Sequence, residues 1–120
     1  MAITGPLKLN VQLLRDGEPA IGPGKAMVLD AIRRTGSIAA AGRDTGMSYR
    51  RIWLLVDSLN RSWAEPVVDT HVGGGTRGGT RLTEFGERLL TTYRAIEARM
   101  IAAAAGDDLD GLIAALRPPD

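Results

Sequence analysis

The chain has 120 residues, 44% of them apolar, which is enough for one packed domain and too few for two. With no cysteine and a single histidine, His71, it can build neither a disulfide framework nor a thiolate or multi-histidine metal site, and it has no cysteine nucleophile. The net charge is only +1, but its sign is unevenly placed: eight arginines face four acids over residues 33–81, while four arginines face seven acids over 82–120.

Thirteen of the fifteen cations are arginine, the side chain suited to bidentate phosphate and guanine contacts, although arginine excess also follows from genomic base composition. The longest apolar run, Met100 to Ala105, is far short of a membrane span. Met1 to Pro6 has neither the basic start nor the apolar core of a secretory signal, so a cytoplasmic location is expected.

Leu7 to Leu14 alternates as a strand, with Leu7, Leu9, Val11 and Leu13 on one face and Lys8, Asn10 and Gln12 on the other. Asp16-Gly17 suits a two-residue hairpin turn, and Glu18 to Ile21 is the return strand. After Gly22, Pro23 starts a helix that runs to about Thr35, with Met27, Val28, Ala31 and Ile32 on one face. Gly36 stops it. Ser37 caps a short helix through Ile38-Ala39-Ala40-Ala41 that ends at Gly46. Met47 enters the core and Ser48 caps a third helix, where Ile52, Val56, Leu59 and Trp63 recur at helical spacing.

Pro66 prevents continuation. Val67-Val68 starts a strand, Gly73 to Gly79 is a glycine-rich tip, and Thr80-Arg81-Leu82 returns. Thr83 caps a helix of about twenty residues with Glu84 and Glu87 in its first turn and the stripe Phe85, Leu89, Tyr93, Ile96, Met100 and Ala104. A stripe that long invites a partner helix. Gly106-Asp107-Asp108 breaks it. Leu109, Leu112, Ile113 and Leu116 mark a short final helix, and residues 117–120 read as a frayed tail.

Ser37 to Leu59 is a capped helix, a glycine turn and a second capped helix, the order of a helix-turn-helix. Ala41 and Gly42 are small where the two helices cross, and Ile52 and Val56 anchor the second. Ser48, Tyr49, Arg50, Arg51 and Leu54 then fall on or near its exposed N-terminal face, which suits a major groove. The alternative is a three-helix core with a solvated arginine pair. The glycine loop lacks the lysine of a phosphate-binding P-loop, since Gly79 and Thr80 stand where it is required. It reads instead as a wing whose Thr76, Arg77, Thr80 and Arg81 approach phosphates or the minor groove, against the alternative of a loop with no role. His71 is a strand or DNA-proximal side chain. Tyr49 is the one aromatic expected toward a ligand, with Trp53 and Trp63 taken as packing residues. Asn60-Arg61-Ser62 matches a glycosylation sequon by chance, on a helix in a chain without a secretion signal.

Gly36-Ser37-Ile38-Ala39-Ala40-Ala41-Gly42, Gly46-Met47-Ser48-Tyr49-Arg50-Arg51-Ile52-Trp53, Asn60 and Gly73 through Gly86, ending Leu82-Thr83-Glu84-Phe85-Gly86, resemble the N-terminal DNA-binding domain of molybdate-responsive ModE-type regulators. That domain is a winged helix related to the LysR-type helix-turn-helix, and the likeness covers roughly residues 25–95. Gly42 and Thr45 depart from it, standing where related motifs prefer alanine and leucine.

The resemblance implies a homodimeric, sequence-specific bacterial transcription regulator. Ser37, Ser48, Tyr49, Arg50, Arg51 and Leu54 would lie at the groove, with Thr76, Arg77, Thr80 and Arg81 on the wing. Phe85, Leu89, Tyr93, Ile96 and Met100 would lie between protomers. The expected fold is α+β, mainly α: a winged helix-turn-helix with an N-terminal β-hairpin and a long C-terminal dimerisation helix. Residues 1–82 form the DNA-binding unit (hairpin 7–21, helix-turn-helix 37–63, wing 67–82), and residues 83–120 serve dimerisation. The partner is palindromic double-stranded DNA. No cofactor, metal, enzymatic activity or membrane contact is expected. Because the oxyanion-binding modules of such regulators follow this region, no molybdate site is expected within these residues. A winged-helix module that binds a protein partner instead of DNA is the competing reading.

Overall fold

The computed structural model describes residues 1–72 and 79–120. It is an α+β fold with eleven elements: strands Ala2–Thr4 (β1), Leu7–Leu9 (β2), Leu13–Arg15 (β3) and Glu18–Ile21 (β4), helices Pro23–Thr35 (α1), Ile38–Thr45 (α2) and Tyr49–Ser62 (α3), strands Val68–Val72 (β5) and Gly79–Leu82 (β6), and helices Glu84–Ala104 (α4) and Asp107–Ala114 (α5). Among the described residues the strands make three two-stranded antiparallel sheets, β1-β2, β3-β4 and β5-β6.

The N-terminal region corrects the single-strand expectation for residues 7–14. Leu7–Leu9 pairs backwards with Ala2–Thr4 through a turn at Gly5, whose φ is +54°, and Leu13–Arg15 pairs forwards with Glu18–Ile21. Alternation in sequence continues through Asn10-Val11-Gln12, but the ladder does not. Leu7, Leu9 and Val11 are half-buried as expected, whereas Leu13, in the second hairpin, is exposed. The Asp16-Gly17 turn forms as read, with positive φ at both residues (+50° and +79°).

One core joins α1, α3, α4 and the wing root. Leu29, Ile32, Ile52, Leu59 and Leu90, then Val28, Val56 and Val67, are its largest enclosed side chains. Met27 corrects the expected α1 face: it points outward, and Ala26 and Leu29 lie inward beside Val28, Ala31 and Ile32. Two aromatic groups fasten the β3-β4 side to this core, because each places a polar tip on a carbonyl. Trp63 Nε1 donates to Ala20 O at 3.1 Å, and the Tyr93 hydroxyl donates to Val11 O at 2.7 Å. Burial, with the nearby Glu97 carboxylate adding to it, pushes the Tyr93 hydroxyl up to about 12.

A charged chain runs between the middle of α1 and the middle of α4. Arg94 donates to Asp30 Oδ2 at 2.5 Å and to Glu97 Oε1 at 2.8 Å, and Glu97 Oε2 lies 2.9 Å from the Met1 amino group. Burial opposes ionisation of Glu97, but the hydrogen bonds from Arg94 and the amino group outweigh it and hold the carboxyl below its ordinary value. No helix among the described residues is long and apolar enough to cross a membrane, and no cluster of potential metal ligands occurs among them.

Candidate nucleic-acid interface

Two serines and two glycines set the geometry of α2 and α3. Ser37 Oγ accepts from Ala40 N at 2.9 Å and Ser48 Oγ accepts from Arg51 N at 3.1 Å, so each helix begins on its own hydroxyl cap. Gly46 closes α2 in the left-handed conformation at φ +74°, which glycine adopts without steric cost. Gly42 eases the packing: a Cβ there would stand 3.0 Å from the Met47 carbonyl, which would have to give by a few tenths of an ångström, so the turn folds in close against α2. Thr45, unusual at its position, donates to Ala41 O at 2.8 Å and leaves its oxygen near Met47 N at 3.4 Å. Beside that turn, Arg34 holds Asp44, in the last residues of α2, with two hydrogen bonds of 3.1 and 2.7 Å that tie α1 to α2. Those bonds lower the Asp44 carboxyl below its ordinary value.

With Ile52, Val56 and Leu59 buried, α3 turns its opposite side outward. Arg50, Arg51 and Leu54 (57% exposed) lie on or beside it, while Tyr49 (55%) stands in line with Ile52 and Val56 and is exposed because it opens the helix, next to the exposed Ser48 cap. Ser37 is half-buried and engaged in its cap. Of the four arginines on α2 and α3, only Arg61 has an ion-pair partner among the described residues, Asp57 at 3.0 Å. Arg43, Arg50 and Arg51 have none.

The wing root is fixed by Asn60. Its Oδ1 accepts from Val67 N at 2.8 Å and Val68 N at 3.0 Å, and its Nδ2 donates to Val68 O at 3.0 Å. One side-chain amide thus holds the start of β5 to the end of α3. The return strand leads straight into α4, where Thr83 N donates to Val67 O at 3.0 Å and Thr83 Oγ1 accepts from Gly86 N at 2.9 Å. A Cβ on Gly86 would stand 2.1 Å from Val67 O, a distance that no packing adjustment can absorb. The glycine that ends the wing motif is therefore required where α4 crosses Val67, just before β5.

In the wing itself, Arg81 is exposed. Thr80 corrects the expectation that it approaches phosphate: it is 7% exposed, and its N–H donates to Gly36 O at 3.0 Å. Strand alternation accounts for this, since Thr80 and Leu82 share the inward face and Arg81 the outward one. Thr76 and Arg77 lie outside the described residues.

The α4 stripe is divided. Leu89 and Tyr93 are buried in this chain's own core, Phe85 and Ile96 are half-buried, and Met100 is 46% exposed. Beside them a largely apolar cleft of about 340 Å³ opens between Val11, Ile21, Trp63, Phe85, Leu89 and Ile96.

No protein-family model matches the chain. Among curated proteins, the molybdenum-pterin-binding protein MopA of Rhodobacter capsulatus is 37% identical over 98 residues, which is 82% of this chain and 37% of MopA. The DNA-binding transcriptional dual regulator ModE of Escherichia coli K12 is 30% identical over 116 residues, 92% of this chain and 42% of that protein. The transcriptional regulator ModE of Haemophilus influenzae is 34% identical over 77 residues, 64% of this chain and 30% of that protein.

The chain is a relative of the ModE-type regulators. It spans less than half the length of these three relatives. For a ModE relative, sequence reasoning missed one exposed residue on α3. Trp53, expected to pack inside, is 38% exposed and meets Tyr49 edge-on, with ring centroids 6.2 Å apart. The signal was available, because Trp53 lies one turn after Tyr49 on the same side of the helix.

Proposed function

We propose that these residues are the DNA-binding part of a ModE-type transcriptional regulator, a binding function and not a catalytic one. The observation that carries this reading is the outward face of α3, where Arg50 and Arg51 have no ion-pair partner among the described residues. Unpaired guanidinium groups beside a capped helix N-terminus suit a phosphate backbone and the guanine edge in the major groove. Relatives that are themselves named transcriptional regulators support it. Tyr49 and Leu54 accompany the arginines in the groove, the Ser48 cap lies against a phosphate, and Ser37 stands at the start of the supporting helix. The β5-β6 wing, with Arg81 and the Thr76-Arg77 tip, contacts the flanking backbone.

The protein acts as a homodimer through residues 83–120, and the operator is palindromic with half-sites roughly 34–36 Å apart or a multiple of that. Since Leu89 and Tyr93 are occupied in the core, Phe85, Ile96 and Met100 supply the partner contact. The test is duplex DNA binding by the full chain over a range of salt, with its mass followed by light scattering. A steep fall of affinity with salt and a dimer mass are expected. Salt-independent capture of a protein partner without duplex binding would instead favour a winged-helix interaction module.

A further inference from the structure

The outward face of α3 holds more apolar surface than an arginine reader needs. A helix turns about 100° per residue. With Ile52, Val56 and Leu59 inward, Arg50 and Leu54 stand directly opposite, Trp53 flanks them on one side, and Tyr49 backs Trp53 from the turn before it, nearer the buried stripe. All three apolar side chains are exposed, and the two rings brace each other edge-on at 6.2 Å and 72°, which limits the rotamer freedom they lose on binding. A cluster of this kind at the start of a helix marks a contact surface. The charge around it selects the occupant: Arg50 and Arg51 are unpaired among the described residues, a setting that attracts a polyanion and disfavours an apolar helix. The apolar group that duplex DNA presents in its major groove is the thymine C5-methyl.

We infer that Tyr49, Trp53 and Leu54 form a thymine-methyl reader beside Arg50, so that α3 discriminates bases by two chemistries, guanidinium to guanine and apolar contact to thymine. The inference rests on the reading of α3 as the groove-binding helix. Leu54, in the middle of the face next to Arg50, makes the central methyl contact, and Trp53, held by Tyr49, covers the neighbouring base pair.

The experiment selects duplexes from a random pool with the full chain. Each thymine of the winning sequence is then replaced by deoxyuridine, which keeps the base pairing and removes only the methyl. At one or two positions wild type is expected to lose about fourfold in affinity per methyl, the factor carried by one buried methylene. Leu54→Ala or Trp53→Ala should lose affinity for the thymine duplex and show no further loss with deoxyuridine at the matching position. Both residues are exposed, so their folding is checked simply by an unchanged melting curve. Enrichment of a sequence that is indifferent to deoxyuridine throughout, or variants that keep the full deoxyuridine penalty, would overturn the methyl reader and leave DNA binding intact. If no duplex is enriched, the DNA-binding reading fails and takes this inference with it.

Discussion

Two regions of the molecule dispose of their polar groups in opposite ways. Around the turn between α2 and α3, side-chain oxygens and amides fix the backbone: Ser37 and Ser48 cap helices, Thr45 braces the turn and Asn60 holds the wing root, while the arginines of α3's first turn are left without partners among the described residues. Between the middles of α1 and α4 the charges satisfy one another, in the chain Asp30–Arg94–Glu97, and further along α4 and in and after α5 apolar groups such as Met100, Leu112 and Leu116 stay uncovered. A surface with rigid backbone and free cations suits a polyanion. One with paired charges and bare hydrocarbon suits another protein surface.

The contrast breaks most severely at the wing root. Gly86→Ala drives a methyl into the Val67 carbonyl and should cost about 3 kcal/mol or more, read as a lowered midpoint in urea unfolding. Asn60→Ala leaves the Val67 and Val68 amides without their acceptor and should cost roughly 2–3 kcal/mol, with loss of DNA binding in proportion to unfolding.

The same contrast sharpens with substitutions that touch only one side of it. Arg50→Ala should leave stability within about 0.5 kcal/mol, while weakening binding to a selected duplex by roughly 1–3 kcal/mol and relaxing one base position, measured by fluorescence anisotropy on matched and mismatched duplexes. Ser48→Ala removes the cap on α3 and should cost about 1 kcal/mol of stability.

The smallest effect belongs to the paired charges. Glu97 has its carboxyl held below 4.5, so the unfolded chain takes up that proton first as pH falls. Its contribution is present above pH 4.5 and is lost as pH drops through the lower folded value. Glu97→Gln should therefore flatten the acid arm of the stability profile and leave duplex binding at neutral pH unchanged.

Much of the α2-α3 unit was legible in sequence because its signals are local. Caps at Ser37 and Ser48, the left-handed Gly46 and the 52-56-59 spacing all act within a turn or two. The misses share a longer range. Nothing local distinguishes Asn10-Val11-Gln12 from a continuing strand, since only pairing partners decide where a ladder ends. Asn60 read as a stray sequon because its role depends on residues seven and eight positions later that only the fold brings to it. Gly86 stood in a quoted motif, but the reason for it is a carbonyl nineteen positions earlier. Thr80 and Trp53 were recoverable: strand alternation places the first inward and helix periodicity places the second outward, and residue type was given more weight than position.

The most direct test compares the two regions in one titration. Arg50→Ala/Arg51→Ala and Arg99→Ala/Arg117→Ala each remove two exposed cations, one pair from α3 and the other from the region beyond Arg94. Affinity for a duplex is measured against salt for wild type and both double variants. The account predicts that the α3 pair weakens binding to the selected duplex and lowers the slope of log affinity against log salt, and that the distal pair leaves both unchanged. Equal loss from both pairs, or a loss confined to Arg99 and Arg117, would contradict it.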